Sequence, residues 1–350
     1  MRVSEHNCAQ PATFRSRFSR WLLAAILLTA DLGGQSTIHQ QPMGGQRPTI
    51  RTTVPLVTVP VSVANLHGGA INGLDSSNFV LLDDGKPRQV RVDTVDSGLP
   101  PIALVTVIQT SDISLSALAK IRKVGAMIPE AVVGANGEAA VLTFDEDIKV
   151  AQEFTTDADA ISKAFRRLTP ADNMGGRMID AVQEALNLLA NRPGSRRANI
   201  VIISESRDRG SKEKLTDLIL KIQRTGVTIY SLTYSAYLTP FTIKPEEYQP
   251  TGGGPLQAIT EVARLGKQNT VAALTDVTGG RRFRFETKSK LENDLIRLGT
   301  EIHSRYLISF RPDLEQRPRF HHLEVHVKSH PDALIRARPG YWAASADAAK

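Results

Sequence analysis

The sequence predicts an α/β fold: a doubly wound, mostly parallel sheet, flanked by an all-β module built from both chain ends. Three observations carry this. Residues 101–304 alternate short apolar runs with amphipathic stretches of helical period, the pattern of a sheet covered by helices on both faces. Residues 50–98 carry only strand and turn signals, and residues 305–343 return to strand character. Neither flank holds enough strands to cover a core alone, so one module assembled from the two, with the α/β unit inserted between, is the economical arrangement.

The chain opens on Arg15, Arg17 and Arg20 ahead of the apolar block Trp21–Ala30, "WLLAAILLTA". Such a block is about half the length of a bilayer-spanning helix, so residues 1–30 read as a secretory signal, with an uncleaved anchor as the alternative. Removal of the signal leaves no stable membrane span and predicts export to the periplasm or the exterior. The single cysteine, Cys8, precedes the block; a mature chain without it has no disulfide, thiolate metal site or thiol nucleophile. The formal charge of +7 lies partly in residues 1–30, and the remaining excess of about +4 is too small to argue for nucleic acid. Residues 31–49 are rich in Gly, Gln and Pro and read as a flexible leader.

"VPLVTVPVSVAN" gives strand alternation from residue 54, and "FVLLDDGKPRQVRVDTV" reads as a hairpin bent at Asp84-Gly85. The run "IALVTVI" at 102–108 is a buried strand, followed by a helix near 114–130 with Leu115, Leu118, Ile121, Val124 and Ile128 on one face. "EAAVLTF" and "IKVAQEF" form a strand and its hairpin partner at the sheet edge. Helices follow near 157–168 and 177–192, then strand "ANIVIIS", helix 211–225, strand "VTIYSLTY", helix 256–278, strand "RFRFE" and helix 288–304. "YLISFRP", "RFHHLEVHVKS" and "ALIRARPGYW" are three strand-like runs, with 344–350 a short tail.

Several segments stand in a specific order and spacing: "LDSSNFVLLDDGKPRQV", "MGGRMIDAVQEAL", "ANIVIISESRDRGS", "LTDVTGGRRF", "SRYLISFRP" and "RARPGYW". In these the chain, over residues 50–343, resembles the VWFA-related domain family described from acidobacteria, which is similar to von Willebrand factor A domains. The resemblance implies a protein-interaction module. It also implies where a metal-ion-dependent adhesion site would stand: Asp-x-Ser-x-Ser after the first strand, a Thr on a second loop and an Asp on a third. Such a site needs hard oxygen ligands converging on a divalent cation. Here the first loop matches as Gln109-Thr110-Ser111-Asp112-Ile113, the second places Gly176 or Arg177 at the Thr position, and the third places Glu205 at the Asp position. The pattern is degenerate and the expectation is no bound metal. An inward-pointing Arg177 would occupy or repel a cation's place.

A rearranged site for Mg or Ca, from Ser111, Asp112, Glu205 and Asp208, is the alternative. Against it, Asp112 is expected to cap the following helix and Asp208 to pair with Arg207 or Arg209. His322 and His326 share a strand face with Glu324 and are expected to be solvated, while His321 points oppositely. No Gly-x-Ser-x-Gly, His-Glu-x-x-His or phosphate-binding glycine loop occurs, so the chain reads as non-enzymatic; a hydrolase using Ser111 would need a distant histidine as base. The runs "RDRGSKEK", "NRPGSRR" and "GGRRFR", with Arg177, are expected to gather as an electropositive rim at the sheet's top edge. That rim would suit a protein partner with an acidic surface. Tyr237, Phe241 and Tyr248, in the long insert 234–255, are candidate contact residues in an aromatic-poor chain.

Overall fold

Strands from the two ends of the chain lie in the same sheets. The computed structural model describes residues 56–94, 98–192, 196–235, 269–313 and 319–343, all within one compact unit spanning residues 52–350. The segments expected to be signal and leader (1–49), most of the insert 234–255, the first part of the helix expected at 256–278, and the tail fall outside the described residues.

β1 (Val57–Ala64) is followed by β2 (Phe79–Asp83) and β3 (Lys86–Arg88). Asp84 and Gly85 between them take φ of 50° and 76°, as the tight two-residue hairpin turn requires. β4 (Arg91–Asp93) then leaves that hairpin for another sheet. The α/β unit holds β5 (Ile102–Gln109), β6 (Glu138–Phe144), β7 (Ile148–Thr155), β8 (Arg197–Ser204), β9 (Thr228–Thr233) and β10 (Arg282–Arg284). Its helices are α1 (Leu115–Val124), α2 (Ala158–Arg166), α3 (Met178–Ala190), α4 (Leu215–Gln223), α5 (Thr270–Asp276) and α6 (Lys288–His303). The chain ends in β11 (Tyr306–Phe310), β12 (Phe320–Val327), β13 (Leu334–Arg336) and β14 (Gly340–Trp342).

The central sheet runs β10-β9-β8-β5-β6-β7, parallel except for the β6–β7 hairpin. β5 is buried at every position. Its even residues, such as Leu104 and Ile108, pack with α1, α2 and α6; its odd residues, such as Val105 and Val107, pack with α3, α4 and α5. Two smaller antiparallel sheets, β13-β1-β11-β4 and β14-β12-β2-β3, enclose a third core around Val61, Leu81, Ile308 and Phe310. The α/β sheet with its flanking β module is the architecture expected.

Two elements differ from expectation. The helix expected over 114–130 begins as a 3-10 turn, Asp112–Ser114, stops at Val124, and gives way to a wide π-helical turn, Ile128–Val133. Pro129 has no N–H to continue an α-helical ladder, and at Gly125 a Cβ would lie 2.2 Å from Phe165 of α2. The last strand-like run divides into β13 and β14, which join different sheets. Between them Arg338 turns inward.

Arg338 is one of three arginines that join the layers without a carboxylate as direct hydrogen-bond partner. Its Nη1 donates to Thr225 O at 2.8 Å, just past α4, and burial pushes its guanidinium down to about 10. Arg197 donates to Ile302 O, in the last turn of α6, at 3.0 Å. Arg305 donates to Ser62 Oγ on β1 and Thr228 Oγ1 on β9, each at 2.8 Å, and to Gly279 O beyond α5. Free carbonyls and the negative end of the helix dipole supply the counter-charge.

Candidate functional site

β5 is flanked by β6 on one side and β8 on the other, so the chain's winding reverses between β5 and β8. At the carboxyl end of that junction an open α/β sheet presents its crevice, and there the loops after β5 and β8 meet. Gln109, fully buried, spans them. Its Oε1 accepts from Glu205 N at 3.0 Å and its Nε2 donates to Ser111 Oγ at 2.9 Å. The main-chain N–H fixes the amide's orientation, because it requires the acceptor end. The second loop closes on the same amide: a Cβ on Gly176 would stand 3.1 Å from Gln109 Nε2.

Main-chain bonds hold the three loops together. Gly176 and Arg209 exchange N–H···O bonds at 3.0 and 2.8 Å, Ala171 N donates to Thr110 O at 2.7 Å, and Asp112 N to Asn173 O at 2.9 Å. Glu205 is 7% exposed. Burial raises its carboxyl above the usual range, while Arg209 and Arg207 pull it down; Arg209 Nε lies 2.8 Å from Oε1.

Two further carboxylates organise the face, and sequence reasoning missed both. Asp145, following β6, accepts from Thr110 Oγ1 at 2.9 Å, Asp147 N at 3.0 Å and Asn173 Nδ2 at 3.2 Å. Asp180, in the first turn of α3, accepts from Lys212 N at 2.9 Å and Glu213 N at 2.8 Å. An acid three residues into a helix is a recognisable N-terminal signal, but no local spacing reveals partners thirty residues downstream.

Several expectations are corrected. Asp112 is exposed and its side chain makes no capping bond. Arg177 does not point inward: it pairs with Asp180 at 2.7 Å and donates to Glu146 O at 3.1 Å. Asp208 is not held by its neighbouring arginines; its Oδ1 accepts from Ile179 N at 3.0 Å and Ser211 Oγ at 2.6 Å, capping α3 from another loop. The basic rim assembles only in part. Arg192 and Arg196 share Glu138 at the opposite, amino end of β6, and Arg281 pairs with Glu301. Tyr234 is buried, its OH donating to Ser114 Oγ at 2.7 Å. Tyr237, Phe241 and Tyr248 lie outside the described residues.

The side chains present do not fit a divalent cation. Magnesium requires several oxygens at about 2.0–2.1 Å, but Gln109 aims an N–H₂ at Ser111 Oγ and its only carbonyl is committed to Glu205 N. Gly176 offers no side chain, Glu205 is paired with Arg209, and Asp208 is committed to α3. Ser111 Oγ likewise takes its hydrogen bond from an amide rather than giving one to a histidine.

Among the described residues one group of three has metal-ligand spacing: Asp83, Asp84 and His321. His321, buried on the side away from His322, lies 3.0 Å from Asp83 and 3.1 Å from Asp84 and stacks on Tyr341. Arg88 pairs with Asp83 at 2.9 Å and Arg319 with Asp84 at 2.7 Å. Both carboxylates already have arginine partners, Arg88 being shared with Asp313, so the cluster ties β2, β12 and β14 together as an ion-paired network.

No protein-family model matches the chain, and no curated protein matches it. Solved structures similar to it include BatB from Bacteroides thetaiotaomicron, at 12% identity over 57% of this chain and 98% of that one, TM-score 0.40. The vWF domain of the type V pili tip protein Mfa5 from Porphyromonas gingivalis has 14% identity over 58% and 95%, TM-score 0.36. A von Willebrand factor type A protein from Catenulispora acidiphila has 10% identity over 83% and 74%, TM-score 0.42. At these values the fold assignment rests on the strand order and register above.

Proposed function

We propose that the chain is an exported, non-enzymatic protein-interaction module working through the three loops at the carboxyl edge of its parallel sheet, with a degenerate adhesion site that holds no metal. One observation carries this reading: the loops are knitted into a single surface that still presents uncommitted side chains. Arg207, Lys212 and Lys214 on the third loop are exposed and form no direct ion pair among the described residues. Leu115, the first residue of α1, and Met174 on the second loop are 55% and 49% exposed. Exposed cations suit a partner with an acidic surface. Export is supported by the arginine-led apolar block at 15–30; among the described residues no helix is long and apolar enough to cross a membrane.

The test is a pull-down from the native envelope fraction with two baits, wild type and the triple variant Arg207→Glu, Lys212→Glu, Lys214→Glu. Melting of both baits checks that the variant is folded before capture is compared. A partner captured by the wild type should fall at least ~10-fold on the variant, since like-charge juxtaposition costs several kcal/mol. Equal capture by both would remove the third loop from the interface.

A further inference from the structure

We propose that Gln109 is a positioning residue that does, with a covalently attached amide, what a divalent cation does in a metal-bearing adhesion site, and that Arg209 completes the exchange. The inference rests on this edge being the working face and concerns how that face is held rather than what it binds.

The charges account for the exchange. A site with one carboxylate on the first loop and another on the third needs about two positive charges to be stable once buried. Here the first position is a neutral amide, and the remaining carboxylate, Glu205, meets a single guanidinium, Arg209, at 2.8 Å. The set is neutral without an ion.

Geometry agrees with the charge count. The amide reaches the first loop at Ser111, the third at Glu205 N, and packs against Gly176 of the second. These are the three loops a cation would bridge. Full burial of Gln109 excludes water that would compete for those bonds, and a neutral bridge avoids the cost of desolvating a charge. Gly176 completes the fit, because a side chain there would press on the amide nitrogen.

The experiment needs no partner, so its failure is separable from failure of the interaction reading. Wild-type protein is melted with EDTA and with millimolar Mg²⁺, Ca²⁺ or Mn²⁺; no shift is expected, and stabilisation by any of the three overturns the proposal. Gln109→Met keeps the bulk but removes both hydrogen bonds. The Glu205 amide should then exchange with solvent roughly 10-fold faster, while Ile200 in the middle of β8 stays protected. Unchanged protection at Glu205 also overturns the proposal. Gln109→Glu restores a second buried carboxylate of nearly the same shape. It should melt below wild type in EDTA and recover with Ca²⁺ or Mn²⁺, a response that loss of packing alone would not produce. A Gln109→Glu variant as stable as wild type and indifferent to metal would show that the amide bridges nothing. The wild-type arm decides even if a variant does not fold.

Discussion

Asp180 accepts two main-chain hydrogen bonds from the third loop while pairing with Arg177, so one carboxylate fixes that loop to the start of α3. Removing it as Asp180→Ala should cost about 2–4 kcal/mol at pH 7, the range for charge-assisted bonds left unmade. The pH dependence has a definite sign. Burial alone would raise Asp180, but bonds from Lys212 N, Glu213 N and Arg177 outweigh it and hold the carboxyl below its usual value. A depressed carboxylate contributes stability that is full above the unfolded value and is lost as pH falls through the folded one. The gap between wild type and Asp180→Ala should therefore hold from pH 7 to about pH 5 and narrow below about pH 4, read from urea melts; a gap that stays constant into that acid range contradicts the assignment. Glu205 runs the other way: its raised carboxyl penalises folding while ionised, and that penalty is relieved in acid. At this scale the resemblance located the loops that meet, because Gln109, Gly176 and Glu205 occupy strand and helix ends whose positions follow from the fold. Direction was not legible. Asp112, Arg177 and Asp208 each turned to a partner on another loop or to solvent, and short-range sequence holds no record of that choice.

Helices and strands were more legible than side chains, since burial on both faces of β5 and one face of each helix writes a period into the sequence. What the period could not show was close approach. Gly299 of α6 lies so near the wide turn at 128–133 that a Cβ on it would stand 1.8 Å from Ala131 O. Alanine improves helix propensity by about 1 kcal/mol, yet Gly299→Ala should still lower stability by about 1–3 kcal/mol, because a main-chain oxygen cannot rotate away. A thermal melt showing neutral or raised stability would refute the packing of α6 on that turn. The same blindness explains why α1 was expected to run on: its apolar spacing continues to Ile128, while the interruption comes from Gly125 meeting Phe165 on a different helix. The division between β13 and β14 likewise depends on Arg338 reaching α4, a contact more than a hundred residues away in sequence.

For the molecule as a whole, the two chain ends depend on each other. β1 pairs with β11 and β13, and β2 with β12. Deleting residues 306–350 removes every one of those neighbours and leaves β1 and the β2–β3 hairpin without partners for their edges. Amide exchange over 57–64 and 79–83 should become fast while β5 and β8 remain slow. Retained protection of 57–64 in the truncated protein would contradict a shared module. Counting strands was enough to anticipate this arrangement. Arg305 and Arg338, which tie the β module to the α/β unit, were not anticipated, because their partners are hydroxyls and main-chain carbonyls that no sequence pattern marks.

Pairing the first strand with one that lies some 245 residues later also has a mechanical meaning. Tension applied at Val57 reaches the antiparallel register of β1 against β11, from Val57 opposite Phe310 to Val61 opposite Tyr306, before it reaches β5. Tension applied at Trp342 meets β12 and, through Arg338, the end of α4. A pull along the chain therefore loads the β1–β11 register from one side and the Arg338 anchor from the other, which makes the lifetime under force a property of both.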